Sequence, residues 1–153
     1  MGDVQFNIAK GKSGAYLDLV GTGNARLIAV LLKASGLEAD NVLVDHTTLA
    51  SVLAAANDEC DFTNYVRKTI SAVTNTVDNT NNWFNSDTAD LTWASAGGAS
   101  NNNTGAVLFC YDPDITAGTD SNIIPLYAMA YTETTTGSDL EVRINSAGLF
   151  RSS

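Results

Sequence analysis

The chain alternates short apolar runs with clusters of turn-forming residues. Val4, Phe6 and Ile8 alternate with Gln5 and Asn7, which predicts a strand of period two. Gly11 and Gly14 break it, and Tyr16, Leu17, Leu19 and Val20 then fit either a short strand or a helix. Leu27 to Leu32 is an unbroken apolar run of strand length, closed by Ser35-Gly36, and reads as a strand buried on both faces. Leu49, Val52, Leu53 and Ala56 recur at helical spacing, so a short α-helix is predicted near residues 47–56, with Asp45 or Thr47 as its cap and Asn57-Asp58 as its end. Arg67 to Val77 is rich in Thr and Val and reads as one strand, followed by the turn cluster 78–82. Leu91 and Trp93 mark another strand, and residues 97–103 a loop.

Ala106 to Tyr111 is a second buried strand, ended by Asp112-Pro113-Asp114. Ile123 to Tyr131 follows, with Pro125 demanding an edge position or a bulge. After a turn at 136–139, Leu140, Val142 and Ile144 alternate with polar residues. The last three strands are expected to form an antiparallel meander. The pattern predicts a mainly β chain, an antiparallel β-sandwich or open barrel with one short helix.

Composition narrows the function. The 153 residues suit a single domain spanning 1–153. A formal charge of −9 argues against nucleic acid and against an anionic membrane surface, both of which need clustered Lys and Arg. No apolar run approaches the ~20 residues that span a bilayer, and the stretch from Met1 to Gln5 has no secretory character. With 17 Thr, 15 Asn and 12 Ser against 16% charged residues, the exterior is polar by hydroxyl and amide rather than by ions. Such a surface suits contact with copies or partners, because interface centres are depleted in charge.

Candidate chemistry is sparse. Gly21-Thr22-Gly23 lacks the third glycine of a dinucleotide fingerprint, since Arg26 stands there. His46 is the only histidine and no Gly-x-Ser-x-Gly elbow exists. Cys60 and Cys110 form no CxxC motif and read as buried thiols, bridged only if the fold brings their Cα atoms within about 7 Å. The acidic clusters Asp58-Glu59-Asp61 and Asp112, Asp114, Asp120 would serve a small hydrolase only as two carboxylates facing across a cleft. The second cluster departs from the spacing of a calcium loop. Trp83-Phe84, beside an Asn-rich turn, is a candidate anchor or glycan platform. No catalytic residue, metal or cofactor is expected.

Three stretches carry a resemblance: Leu27 to Asp40; Leu49 to Glu59 with Phe62 to Lys68; and Cys110 to Asp114 through Asp120 and Ile123 to Leu126, to the closing Gly148-Leu149-Phe150-Arg151-Ser152-Ser153. Across nearly the whole chain this arrangement resembles small virion structural proteins of tailed bacteriophages, some of them head decoration proteins. The Asn-rich segments 78–85 and 101–103 depart from it. The resemblance implies a particle component made in the bacterial cytoplasm and mounted on the outer surface of the head. Its expected partners are the major capsid protein and copies of itself. A tail adaptor, tube-associated protein or host-binding tip is the alternative. The candidate partner contacts are the apolar residues near either end, Phe6, Ile8, Leu149 and Phe150, with Trp83 and Phe84.

Overall fold

The computed structural model describes residues 1–152. In chain order the elements are β1 (Val4–Gln5), α1 (Ser13–Leu19), β2 (Arg26–Lys33), α2 (Asp40–Leu43), α3 (Leu49–Ala54), β3 (Lys68–Ile70), β4 (Thr74–Asp78), β5 (Trp83–Asp87), β6 (Leu91–Trp93), β7 (Thr104–Asp112), β8 (Ile124–Ala130), β9 (Leu140–Val142) and β10 (Phe150–Ser152). The molecule is mainly β, in a sandwich-like arrangement of three antiparallel sheets. Among the described residues no barrel is closed.

The largest sheet has the order β1-β8-β7-β2-β3. Its centre is the pair of unbroken apolar runs. Every residue of β7 is buried, as are Leu27 to Leu32 of β2. Strands without alternation bury both faces, which is why these two occupy the middle. Their register sets Ala29 against Phe109 and Leu31 against Val107, while Val30 meets Leu108 on the neighbouring pair. Leu17 of α1 and Leu149 close over Leu27 and Phe109, leaving a cavity of only about 10 Å³.

Pro125 explains the bulge in β8. Phe109 pairs with Tyr127, but the next residue, Cys110, pairs with Pro125, so Leu126 is the extra residue. The Leu126 carbonyl instead accepts the Phe6 N–H at 3.1 Å, which ties the N-terminal segment to the sheet. The helix expected near residues 47–56 is α3. Its cap is Thr48, whose Oγ1 accepts the Ser51 N–H at 3.1 Å while the Ser51 hydroxyl accepts the Thr48 N–H at 3.2 Å. Asn57 closes the other end by donating to the Val52 carbonyl at 3.2 Å.

Several expectations need correction. The helix is not alone: α1 and α2 are also helical, the ambiguous 16–20 stretch falling mostly in α1. The first strand stops at Gln5, because residues 7–9 turn into a 3₁₀ helix that drops Phe6 into the core. The 67–77 segment breaks at 71–73 into β3 and β4, which belong to different sheets. The meander is also interrupted. β7 and β8 are neighbours, but β9 leaves them to pair with β6, where Leu91 and Trp93 lie opposite Val142 and Leu140. Buried Trp93 anchors that pair by donating its indole N–H to the Val66 carbonyl at 2.8 Å.

Candidate functional site: an aromatic sheet and its groove

β4 and β5 form a hairpin over the 78–82 turn cluster. The turn is made by Asp78, whose Oδ1 accepts the N–H groups of Thr80 at 2.9 Å and Asn81 at 3.0 Å. Trp83 and Phe84, placed outside the predicted strands by sequence, open β5. The closing segment returns as β10 against β5, with Phe150 opposite Ser86 and Ser152 opposite Phe84. The three strands take the order β10-β5-β4.

Gly148 makes that return possible. Its φ is +98°, and a Cβ there would lie 2.5 Å from Asn85 Oδ1 and 2.7 Å from the Ser86 carbonyl. Gly148→Ala is therefore expected to cost about 1–3 kcal/mol and to loosen β10 from β5. Limited proteolysis should then cut within the last residues first, while urea unfolding records the loss.

The three-stranded sheet gathers three of the six candidate contacts, Trp83, Phe84 and Phe150. Phe84 packs toward Gly14 of α1, and Phe150 toward the core beside Leu149. On Trp83 sits the Arg151 guanidinium, 3.8 Å from the ring centroid, a cation–π contact that also holds Arg151 Nη2 against the Ala147 carbonyl at 3.0 Å. Phe84, Phe150 and Arg151 form one wall of a groove of about 290 Å³, and Gln5, Gly11 and Gly14 form the other. Gln5 is fixed by donating to Ser13 Oγ at 2.7 Å. The three remaining candidates differ. Phe6 is fully buried and is core, and Leu149 belongs to the core despite its place in this segment, whereas Ile8 is half-buried against it. The surface is thus carried by Trp83, Phe84 and Phe150, with Arg151 as a residue that sequence reading did not single out.

A second groove, of about 320 Å³, is lined by Glu133, Asp139 and Glu141 together with Thr and Ser hydroxyls of residues 134–138. These carboxylates lie apart from the acidic clusters noted in the sequence. Most of their side chains are held by bonds within the fold. Glu59 and Asp120, one from each cluster, share Arg67: Nε and Nη2 reach Glu59 at 2.9 and 2.7 Å, and Nη1 and Nη2 reach Asp120 at 2.6 and 3.0 Å. The Arg67 hydrogen bonds hold the Asp120 carboxyl below the usual carboxylate range. Tyr65 joins by donating its hydroxyl to Glu59 at 2.8 Å, and burial pushes that phenol up. Asp61 pairs with Lys33 at 3.0 Å. Asp114 accepts the Thr116 hydroxyl and N–H within its own turn.

His46 bonds Glu38 at 2.8 Å, and Asn57 donates to the same carboxylate at 2.7 Å. The Asn57 bond first, then the His46 bond, hold the Glu38 carboxyl below its ordinary range. Cys60 and Cys110 are free and buried. Desolvation pushes the Cys60 thiol up to about 12 and raises Cys110 as well. Among the described residues, no three His, Cys, Asp or Glu side chains group to hold a metal ion, and no helix is long and apolar enough to cross a membrane. Compared with known proteins, the chain matches no family model, no curated protein and no solved structure.

Proposed function

We propose that this chain is a virion structural protein of a tailed bacteriophage, a decoration or cement protein that binds the outside of the head and catalyses no reaction. The observation that carries the reading is the peripheral sheet, where Trp83, Phe84 and Phe150 meet Arg151 beside an open groove. Aromatic residues and Arg are the types enriched where partners meet. The resemblance of the three sequence stretches supplies the setting. An acidic, Thr- and Asn-rich surface suits the outside of a capsid, away from DNA. A decoration protein needs only modest contacts, because weak contacts repeated on one lattice give strong retention.

In the host-binding tip form of the tail reading, Trp83, Phe84 and the Asn-rich loops are the candidates for glycan contact. Against it, one face of the Trp83 ring is already occupied by Arg151. Particles assembled without the protein are expected to lose heat and pressure resistance while keeping a normal tail. Particles that withstand heat and pressure equally well without it contradict the cement role. Binding of the isolated chain to host envelope would favour the tail.

A further inference from the structure

Lys33, Asp61 and Asn102 come from three separate segments and meet at one carboxylate oxygen. Lys33 Nζ lies 3.0 Å from Asp61 Oδ1, and Asn102 Nδ2 donates to the same oxygen at 3.0 Å. The carboxamide is held from its other side too, because the Asp61 N–H donates to Asn102 Oδ1 at 2.8 Å. A primary amine and an amide carbon are thus gathered at a single acid–base group, with a backbone donor already on the carbonyl oxygen. Backbone bonds fix this meeting. Lys33 closes β2 and donates its N–H to the Asp58 carbonyl at 2.8 Å, the Cys60 N–H reaches the Leu31 carbonyl at 2.9 Å, and the Ala34 N–H reaches the Asn103 carbonyl at 2.8 Å. Asn102 is tied to Thr135, donating its N–H to Oγ1 at 2.9 Å and accepting the Thr135 N–H at 3.0 Å. The Asn102 bond first, then the Lys33 bond, hold the Asp61 carboxyl below its ordinary range, so it stands as the carboxylate that a base must be. The Lys33 side chain is 23% exposed and that of Asp61 69%, so the amine is sheltered while the carboxylate opens to water.

We infer that Lys33 and Asn102 join in an isopeptide bond, with Asp61 as the catalytic residue, in a single reaction of the chain upon itself. Lys33 Nζ adds to Asn102 Cγ, and the Cγ–Nδ2 bond breaks. Asp61 draws a proton from Nζ and delivers one to the departing Nδ2. The two protons that Nζ sheds leave with Nδ2 as ammonium, so the balance needs no oxidant, cofactor or second substrate. The oxyanion formed at Oδ1 meets the Asp61 N–H that is already aimed at it. Fixed geometry drives the step, because two groups held together react without the entropy cost of an encounter. The bond fastens the end of β2 to the segment that enters β7, the two central strands of the largest sheet. Lys33 pairs with Thr104 where the register shifts after Leu32, so the cross-link staples the ladder at an irregular point. The reaction belongs to the isolated chain and stands apart from the virion reading.

Intact-mass spectrometry of the purified full chain, followed by tryptic peptide mapping, tests this. The wild type is expected to weigh one ammonia less than its sequence. Trypsin should no longer cut after Lys33, and one branched peptide should carry both Lys33 and Asn102. K33R keeps a cation beside Asp61 but has no primary amine, so it is expected to show the full mass and ordinary cleavage. D61A removes the acid–base group at an exposed position and is also expected to keep the full mass. Circular dichroism should show both variants folded as the wild type, and the cross-linked wild type should need more urea to unfold than K33R. A wild type that keeps its full mass after prolonged incubation overturns the proposal and leaves the three residues as an ion pair and its hydrogen bonds. Ammonia loss that persists in K33R marks cyclisation at an asparagine and overturns it as well. Loss of water instead of ammonia marks a Lys33–Asp61 amide and overturns the choice of Asn102. A bond that forms equally well in D61A overturns the role of Asp61.

Discussion

Replacing Phe109 by alanine is expected to cost about 4 kcal/mol, the largest loss of any single truncation near the candidate surface. Phe109 is fully buried on β7, opposite Ala29 on one neighbour and Tyr127 on the other. Its ring borders the small cavity shared with Leu17, Leu27, Leu149 and Phe150. Truncation enlarges a void that is already present, and a void between rigid strands collapses poorly. The loss also reaches the surface, because Phe150 packs on the same cavity. Urea unfolding should show the drop in stability. Tryptophan fluorescence, which combines Trp83 on the sheet with the buried Trp93, should change in one transition if β10 and the core unfold as one unit. A loss below about 1 kcal/mol would mean that α1 and the closing segment do not pack on β7 as described.

Replacing Arg67 by methionine is expected to cost about 2–3 kcal/mol at neutral pH. Removing one partner of a buried ion pair costs roughly 3–5 kcal/mol, and the figure is reduced here because the Arg67 side chain is 31% exposed. The substitution strands Glu59 and Asp120 close together with no cation between them. Its pH dependence carries a definite sign. Asp120 is held below the ordinary carboxylate range, so its contribution is complete above that range and is lost as pH falls through its folded value. The wild type therefore loses this increment in acid, whereas the variant no longer has it to lose. The gap between the two should be widest near pH 7 and should narrow as the solution is acidified toward pH 3. Glu38, held down by Asn57 and His46, adds an acid-labile increment common to both proteins. Thermal unfolding at both pH values reads this directly. A gap that is constant with pH would show that Arg67 acts through packing of its stem rather than through its charge.

The sequence made β2, β7 and α3 legible for a physical reason. An unbroken apolar run must be covered on both faces, and a helical stripe needs no partner to be recognised. Alternation likewise showed that Leu140 and Val142 face inward, but it says nothing about which strand lies alongside. β9 consequently looked like the end of a meander, when its partner is β6, some fifty positions earlier. β10 was invisible as a strand, because three residues carry no period and its partner β5 holds polar positions. α1 was ambiguous because Gly14 interrupts its apolar pattern, and the fold uses that glycine to admit Phe84.

The candidate surface was legible by residue type alone. Trp83 and Phe84 stand out as an aromatic pair and Phe150 as an apolar residue near one end, and their convergence depends on β10 pairing with β5. Phe6 stands out by its place near the other end, yet it is core, because the 3₁₀ turn after it points it inward. The Arg67 network shows the limit most plainly. Two acidic clusters more than fifty residues apart in sequence each supply one carboxylate to a single guanidinium. Charge in a sequence has no address until the chain is folded.

The central claim is that this chain is a repeated component of a virion head. Copy number per particle tests it most directly, by quantitative mass spectrometry of purified virions against the major capsid protein. The account predicts a count in a fixed ratio to capsid subunits, as a lattice-bound protein requires. A count far below the number of capsid subunits would move the protein to the neck, tail or tip, and its absence from particles would contradict the account.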